Sequence, residues 1–470
     1  MASEALPAER LRDYLGELKP EARALLIAEL ERGLLRGDEI PGGDLVLQEL
    51  RRVLRERGQA SSRVGNPVRL FFHALDPFIV DDNFGHKHPG RIARAALEPL
   101  WAWISRDLLP AEAKTFSDEV GQALLAGDKS KAESQTRTFQ NLAMRRVETA
   151  LAAAESGDKA GRRLAGQIGI PGALDVANEF LNILKARDEL AVLGRQLPGH
   201  ISALTDGRLL GVKALLDARI GQEPDIFVHA LLLVMSRLSA PWQLIRIATN
   251  AAESDNAARI AASPYATAVT IVLAELERLV GELKADLRSG RGIAVIALLK
   301  AIHDAARGLR TEVDLAVDTV WGRQLAAMRA EISNLLKSEI ESMPGRVRRL
   351  LRPRPAKEIA ADSVLDEGDV TETEALIGFV DACRKFAGEL ALNEMTQRSY
   401  SELQQYLDTG TPALIEGLRN AGEGDRKFRQ SQVDAAVRFC AKVFGEDYAA
   451  QLAKAAEVAA YSERKTAAKA

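Results

Sequence analysis

The residues best suited to chemistry lie in one loop, Asp81-Asp82-Asn83-Phe84-Gly85-His86-Lys87-His88-Pro89. Pro89 biases His88 toward extended backbone, and in extended backbone residues two apart face the same side. The His86 and His88 imidazoles can then meet one divalent metal, with Asp81 or Asp82 completing the site from across the turn. The chemistry would be metal-dependent hydrolysis. A metal site needs three or four ligands, and only the pair is evident. The competing reading is a polar loop, anchored by aromatics, whose histidines bond to backbone groups.

A second group is the run PGRVRRLLRPRP, which places Arg346, Arg348, Arg349, Arg352 and Arg354 within nine positions and no acid among them. These arginines suit an anionic partner. They could contact an anionic membrane surface, with Val347, Leu350 and Leu351 dipping into the interface. They could also grip phosphates, although no aromatics are interleaved to stack bases. The following run, EIAADSVLDEGDVTETE, holds seven acids and no base. Tethered opposite charges have a high effective concentration, so pairing between the two runs is the expected outcome.

A third group is aromatic. Phe71, Phe72, Phe78, Phe84, Trp101 and Trp103 fall within 33 residues. Packed together they are core; exposed, Phe72, Phe78, Phe84, Trp101 and Trp103 would form a docking surface. His303-Asp304 resembles the dyad of the HD superfamily of all-helical, metal-dependent phosphohydrolases. That resemblance implies an upstream His and a downstream Asp as well. The preceding helix, SPYATAVTIVLAELERL, has no His, so the quartet is incomplete and the pair reads as a solvent-edge contact. His229 sits in the most apolar helix and reads as a hydrogen-bonded core residue. Gly166, Gly169 and Gly172 lack dinucleotide-fingerprint spacing and read as a turn. No P-loop, nucleophile elbow or Cys/His nucleophile pattern occurs. No cofactor is implied beyond the divalent metal of the 81–88 loop.

The elements that position these groups are helices. Ala, Leu, Arg and Glu dominate the 470 residues, aromatics are 5%, and β-branched residues never gather into alternating runs. The expected fold is all-α, a multi-helix bundle or irregular solenoid with a smaller C-terminal helical domain. The pattern divides into a helical hairpin (1–60), the aromatic and His-rich segment (61–112), a helical body (113–343), an exposed charged linker (344–374) and the C-terminal domain (375–470). Breaks within the body fall at 126–128, 156–158, 171–172, 198–199, Pro224, Pro241, Pro264 and 289–290. The stretch from about Thr311 to Met343 has no Pro and one Gly and is expected as one helix.

The net charge of −3 argues against a protein that coats nucleic acid. Two isolated cysteines argue against a disulfide framework or a structural zinc. The acidic, signal-free N-terminus and an apolar run of only ten residues, Ile226–Met235, predict a soluble cytoplasmic chain. The expected function is a non-enzymatic helical scaffold or adaptor working through a protein partner. The alternatives are the metal-dependent hydrolase and a peripheral membrane protein using the arginine run.

Overall fold

The computed structural model describes residues 66–81, 88–220, 224–289, 294–360 and 362–461, with short runs between 11 and 50. The described chain is all-α apart from one parallel pair of two-residue strands, β1 (Ile79–Val80) and β2 (Ile92–Ala93). Two residues carry no alternation to read, so this pair left no sequence signal. In the N-terminal stretch, Leu15, Ile27, Leu47 and Leu50 form a small buried cluster.

The chain divides into two units, Met1–Gly199 with Ala214–Arg237, and His200–Lys213 with Leu238–Ala470. In the first, α1 (Pro67–Phe72) opens with Pro67 at its first position, and the Asn66 side chain accepts from the Arg69 amide at 2.6 Å. A 3-10 turn, His73–Phe78, leads into β1. After β2 come α2 (Leu97–Trp103), α3 (Pro110–Leu125), α4 (Lys129–Ala154), α5 (Asp158–Ile168) and α6 (Ala173–Gln196). The boundaries from α3 to α6 fall at the expected breaks: Asp128 caps α4 through the Lys131 amide, and Gly169 and Gly172 turn α5 into α6 with φ of +76° and +65°. Past α7 (Asp206–Ile220) lies α8 (Pro224–Met235), the apolar helix.

The core of this unit is aromatic. The Phe71 ring meets Phe72, Trp101, Phe139 and Phe180 with centroids 4.9–5.9 Å apart, and Phe116 stacks on Phe139 at 4.4 Å. Such pairs add about 0.5–1.5 kcal/mol each beyond area burial. His229 on α8 is buried, bonds Glu179 of α6 at 2.6 Å and meets the Phe78 ring edge-on.

The second unit holds α9 (Ile245–Ala252), α10 (Ala257–Ala261), α11 (Ala266–Ser289), α12 (Ala294–Glu312), α13 (Val320–Leu351), α14 (Glu367–Lys385), α15 (Ala387–Leu390), α16 (Asn393–Arg419), α17 (Arg426–Phe444) and α18 (Glu446–Tyr461). The helix expected from 311 to 343 is shifted. A break falls at 313–319, where the Thr319 hydroxyl accepts from the Gly322 amide at 2.9 Å and restarts the chain. Only glycine fits at 322, because a Cβ there would lie 2.1 Å from the Ala316 carbonyl oxygen. The helix then runs through Pro344, past the end expected at Met343. Met343, Pro344, Val347, Leu350 and Leu351 extend the buried stripe of Leu325, Met328, Ile332, Leu336 and Ile340. Burying those five side chains outweighs the roughly 3 kcal/mol that an interior proline costs.

The exposed linker expected at 344–374 is therefore corrected. Residues 344–351 are helix, and α14 begins at Glu367. Helices before and after it belong to one unit: Arg329 of α13 donates to the Gly388 and Glu389 carbonyls, and Arg310 of α12 pairs with Glu389 at 2.8 Å. Only 352–366 connects, and most of its described residues are exposed. Among the described residues no helix is long and apolar enough to cross a membrane.

Candidate functional site

Of the four candidate metal ligands in the 81–88 loop, Asp81 and His88 are among the described residues. Asp81 is exposed and paired with Arg94. His88 lies before the turn at Gly90, and Asp82, Phe84 and His86 lie outside the described residues. Among the described residues no three His, Cys, Asp or Glu side chains are grouped to hold a metal. His303 bonds its neighbour Asp304 at 3.1 Å and stacks near Phe386, with no third ligand grouped beside them. The thiols are buried, and burial pushes Cys383 up to about 12, which removes it as a nucleophile at neutral pH.

The aromatics expected at a docking surface lie in or beside the core wherever they are described. Phe72, Phe78 and Trp103 are buried and Trp101 is half-buried. Six rings (Phe71, Phe72, Trp101, Phe116, Phe139, Phe180) pack on one another because helix burial there needs large apolar volume.

The arginine run does not pair with the acids that follow it. Arg348 pairs with Glu402 of α16 and lies over the Tyr406 ring, while Arg354 lies 5.0 Å over Phe428. The acids engage α17 instead: Glu367 and Glu374 hold Arg438 at 2.6 Å, and Asp362 meets Lys427. Helix packing fixes which side chains meet, and it overrides tethering. The carbonyls of Leu350 and Arg352 at the end of α13 each accept from Gln432, itself buried, at 3.0 Å.

The site with the most developed geometry was not apparent in any motif. In the first unit, the N-terminal half of α4 and the C-terminal half of α6 border a cleft of about 920 Å³. Small residues on both helices, Ser130 and Ser134 on α4, Ala191 and Gly194 on α6, leave this space unfilled. The 3-10 turn contributes His73, Ala74 and Phe78, and Leu233 and Arg237 complete the lining. Leu70, Phe78, Leu190 and Leu233 give it an apolar part. Four arginines line it: Arg137, Arg187, Arg195 and Arg237.

Arg187 is the anchor. Its side chain is only 10% exposed. It donates to the Gln140 Oε1 at 3.3 Å and the Asn141 Oδ1 at 2.5 Å, and its Nε lies 3.7 Å from Asp188. Gln140 is buried and donates its own amide to the Phe71 carbonyl at 2.7 Å. The aromatic core thus fixes Gln140, and Gln140 fixes Arg187. Burial lowers the Arg187 pKa, Asp188 opposes that shift and Arg137 reinforces it; a guanidinium stays charged regardless.

The charges compensate only in part. Asp188 is taken by Arg137 at 2.6 Å, and Asp76 lies 3.7 Å from Arg69. Arg237 donates to the Gly199 carbonyl at 3.3 Å, and its buried Nε has no acceptor among the described residues. Neither Arg195 nor Arg237 meets a carboxylate among the described residues. Glu133 is the remaining acid of the lining. Comparison with family models, curated proteins and solved structures finds no match to this chain.

No motif marks these four arginines, because they are scattered over about 100 positions. One signal was present. Arg187, Leu190, Ala191, Gly194 and Arg195 fall at helical spacing, a stripe with small and apolar residues between two cations.

Proposed function

We propose that this chain is a non-enzymatic helical scaffold or adaptor whose working surface is the arginine-lined cleft of its first unit, and that it recognises an acidic segment of a protein partner. The observation that carries this reading is Arg187. A guanidinium nine-tenths buried beside a second arginine is unfavourable by desolvation and repulsion, yet Gln140 and Asn141 hold it in place. An anionic occupant turns that cost into attraction in a partly desolvated setting. The apolar part of the lining supplies area, and the arginines supply orientation. The volume, about 920 Å³, suits a few side chains of a partner.

The test titrates the full chain with a labelled oligo-glutamate, followed by fluorescence anisotropy. Binding should weaken steeply between low and physiological salt, as expected for partly exposed charges. Arg137→Glu with Arg195→Glu should lower affinity by about tenfold or more. Equal binding by wild type and the double variant, or no binding at low salt, contradicts the reading.

A further inference from the structure

The cleft's cations are spaced in a way that selects among acidic segments. Arg187 and Arg195 are eight residues apart on α6, which is about 12 Å along a helix. Leu190, Ala191 and Gly194 lie between them on the same face. A single phosphate or carboxylate is far too small to engage both ends.

The facing helix repeats this division. Arg187 meets Gln140 and Asn141 whereas Asp188 meets Arg137, so α4 runs antiparallel to α6. Glu133, one turn before Arg137, therefore lies toward the Arg195 end. Arg137 and Arg187 face Asp188 at one end; Arg237, which donates to the Gly199 carbonyl just beyond α6, belongs with Arg195 and Glu133 to the other. Each end is left with one positive charge in excess.

We infer that the cleft takes an extended segment of the pattern acid-x-apolar-x-acid, a deepening that rests on the adaptor reading above. In an extended chain, residues i and i+4 are about 13 Å apart and face the same side, with i+2 midway between them. The first acid meets the Arg137 and Arg187 end and the second meets Arg195 and Arg237. The apolar residue sits against Leu190 and Ala191. Backbone addition to a sheet plays no part, because the walls are helices and the specificity comes from side-chain register.

The experiment compares two labelled nonapeptides of one composition in anisotropy titrations with the full chain. One carries Glu-Ser-Leu-Ser-Glu at its centre and the other Glu-Leu-Glu-Ser-Ser. The first should bind about fivefold more tightly, the scale of one well-placed exposed ion pair and some apolar burial. Arg195→Glu, an exposed position that leaves the core untouched, should erase that preference, and Arg349→Glu should leave it intact. Equal affinity of the two peptides overturns the register. Equal affinity together with Arg195-dependent binding of oligo-glutamate leaves the adaptor reading standing and removes only this inference. Displacement of both peptides alike by inorganic pyrophosphate would mark a small-anion site and overturn it as well. Absence of any acidic-peptide binding removes both readings.

Discussion

Two regions of this chain are rich in arginine, and they use it differently. At 346–354 five arginines follow one another in sequence, on the last turns of α13 and just beyond. There Arg348 and Arg354 lie against Glu402, Tyr406 and Phe428, while Arg349 and Arg352 are exposed. In the first unit four arginines drawn from positions 137 to 237 converge on one cleft, and one of them is buried. Density along a sequence does not produce convergence in space; antiparallel packing of α4 on α6 does. Each region also rests on a buried glutamine. Gln432 ties down two helix-end carbonyls, whereas Gln140 joins a core carbonyl to a guanidinium.

The largest effect should come from Gln140→Leu. It leaves the Phe71 carbonyl and a buried guanidinium amino group without partners, at about 1–3 kcal/mol for each unpaired group and more for the charged one. Denaturant unfolding should show the combined loss, and oligo-glutamate binding should fall with it. Unchanged stability would mean that Gln140 does not anchor Arg187. Gln432→Leu should come next, at about 1–3 kcal/mol, because the freed carbonyl of exposed Arg352 can recover water while that of Leu350 stays buried. Its signature is faster proteolysis at 352–358 with acidic-peptide affinity unmoved. A drop in affinity would erase the distinction between the regions.

Surface reversals should separate binding from stability. Arg195→Glu should shift stability by less than about 0.5 kcal/mol, while reducing acidic-peptide affinity by about tenfold. Arg349→Glu should do neither. Smallest of all, Glu133→Gln should tighten binding by about two- to threefold at low salt, and the gain should vanish at high salt. Weaker binding in that variant would place Glu133 among the contacts and reverse the charge argument.

Much of the fold was legible in the residues. Asp128, the glycines at 169 and 172 and the prolines at 171, 224 and 241 mark helix limits through local chemistry, and the structure breaks at those places. Pro344 misled because a continuing apolar stripe outweighed a local penalty. The linker misled because charge runs reveal exposure and say little about which helix lies opposite. The cleft was barely legible. The α6 stripe ending in two arginines could be read as a pattern, but the partner stripe on α4 and the role of Gln140 depend on helix register, which one sequence does not reveal.

Arginine footprinting measures the contrast within a single molecule. The full chain is treated with phenylglyoxal with and without the Glu-Ser-Leu-Ser-Glu peptide, and modification is read arginine by arginine by mass spectrometry. The peptide should protect Arg137 and Arg195 and leave Arg349 and Arg352 as reactive as before. Protection of Arg349 and Arg352, with Arg137 and Arg195 unchanged, would contradict it.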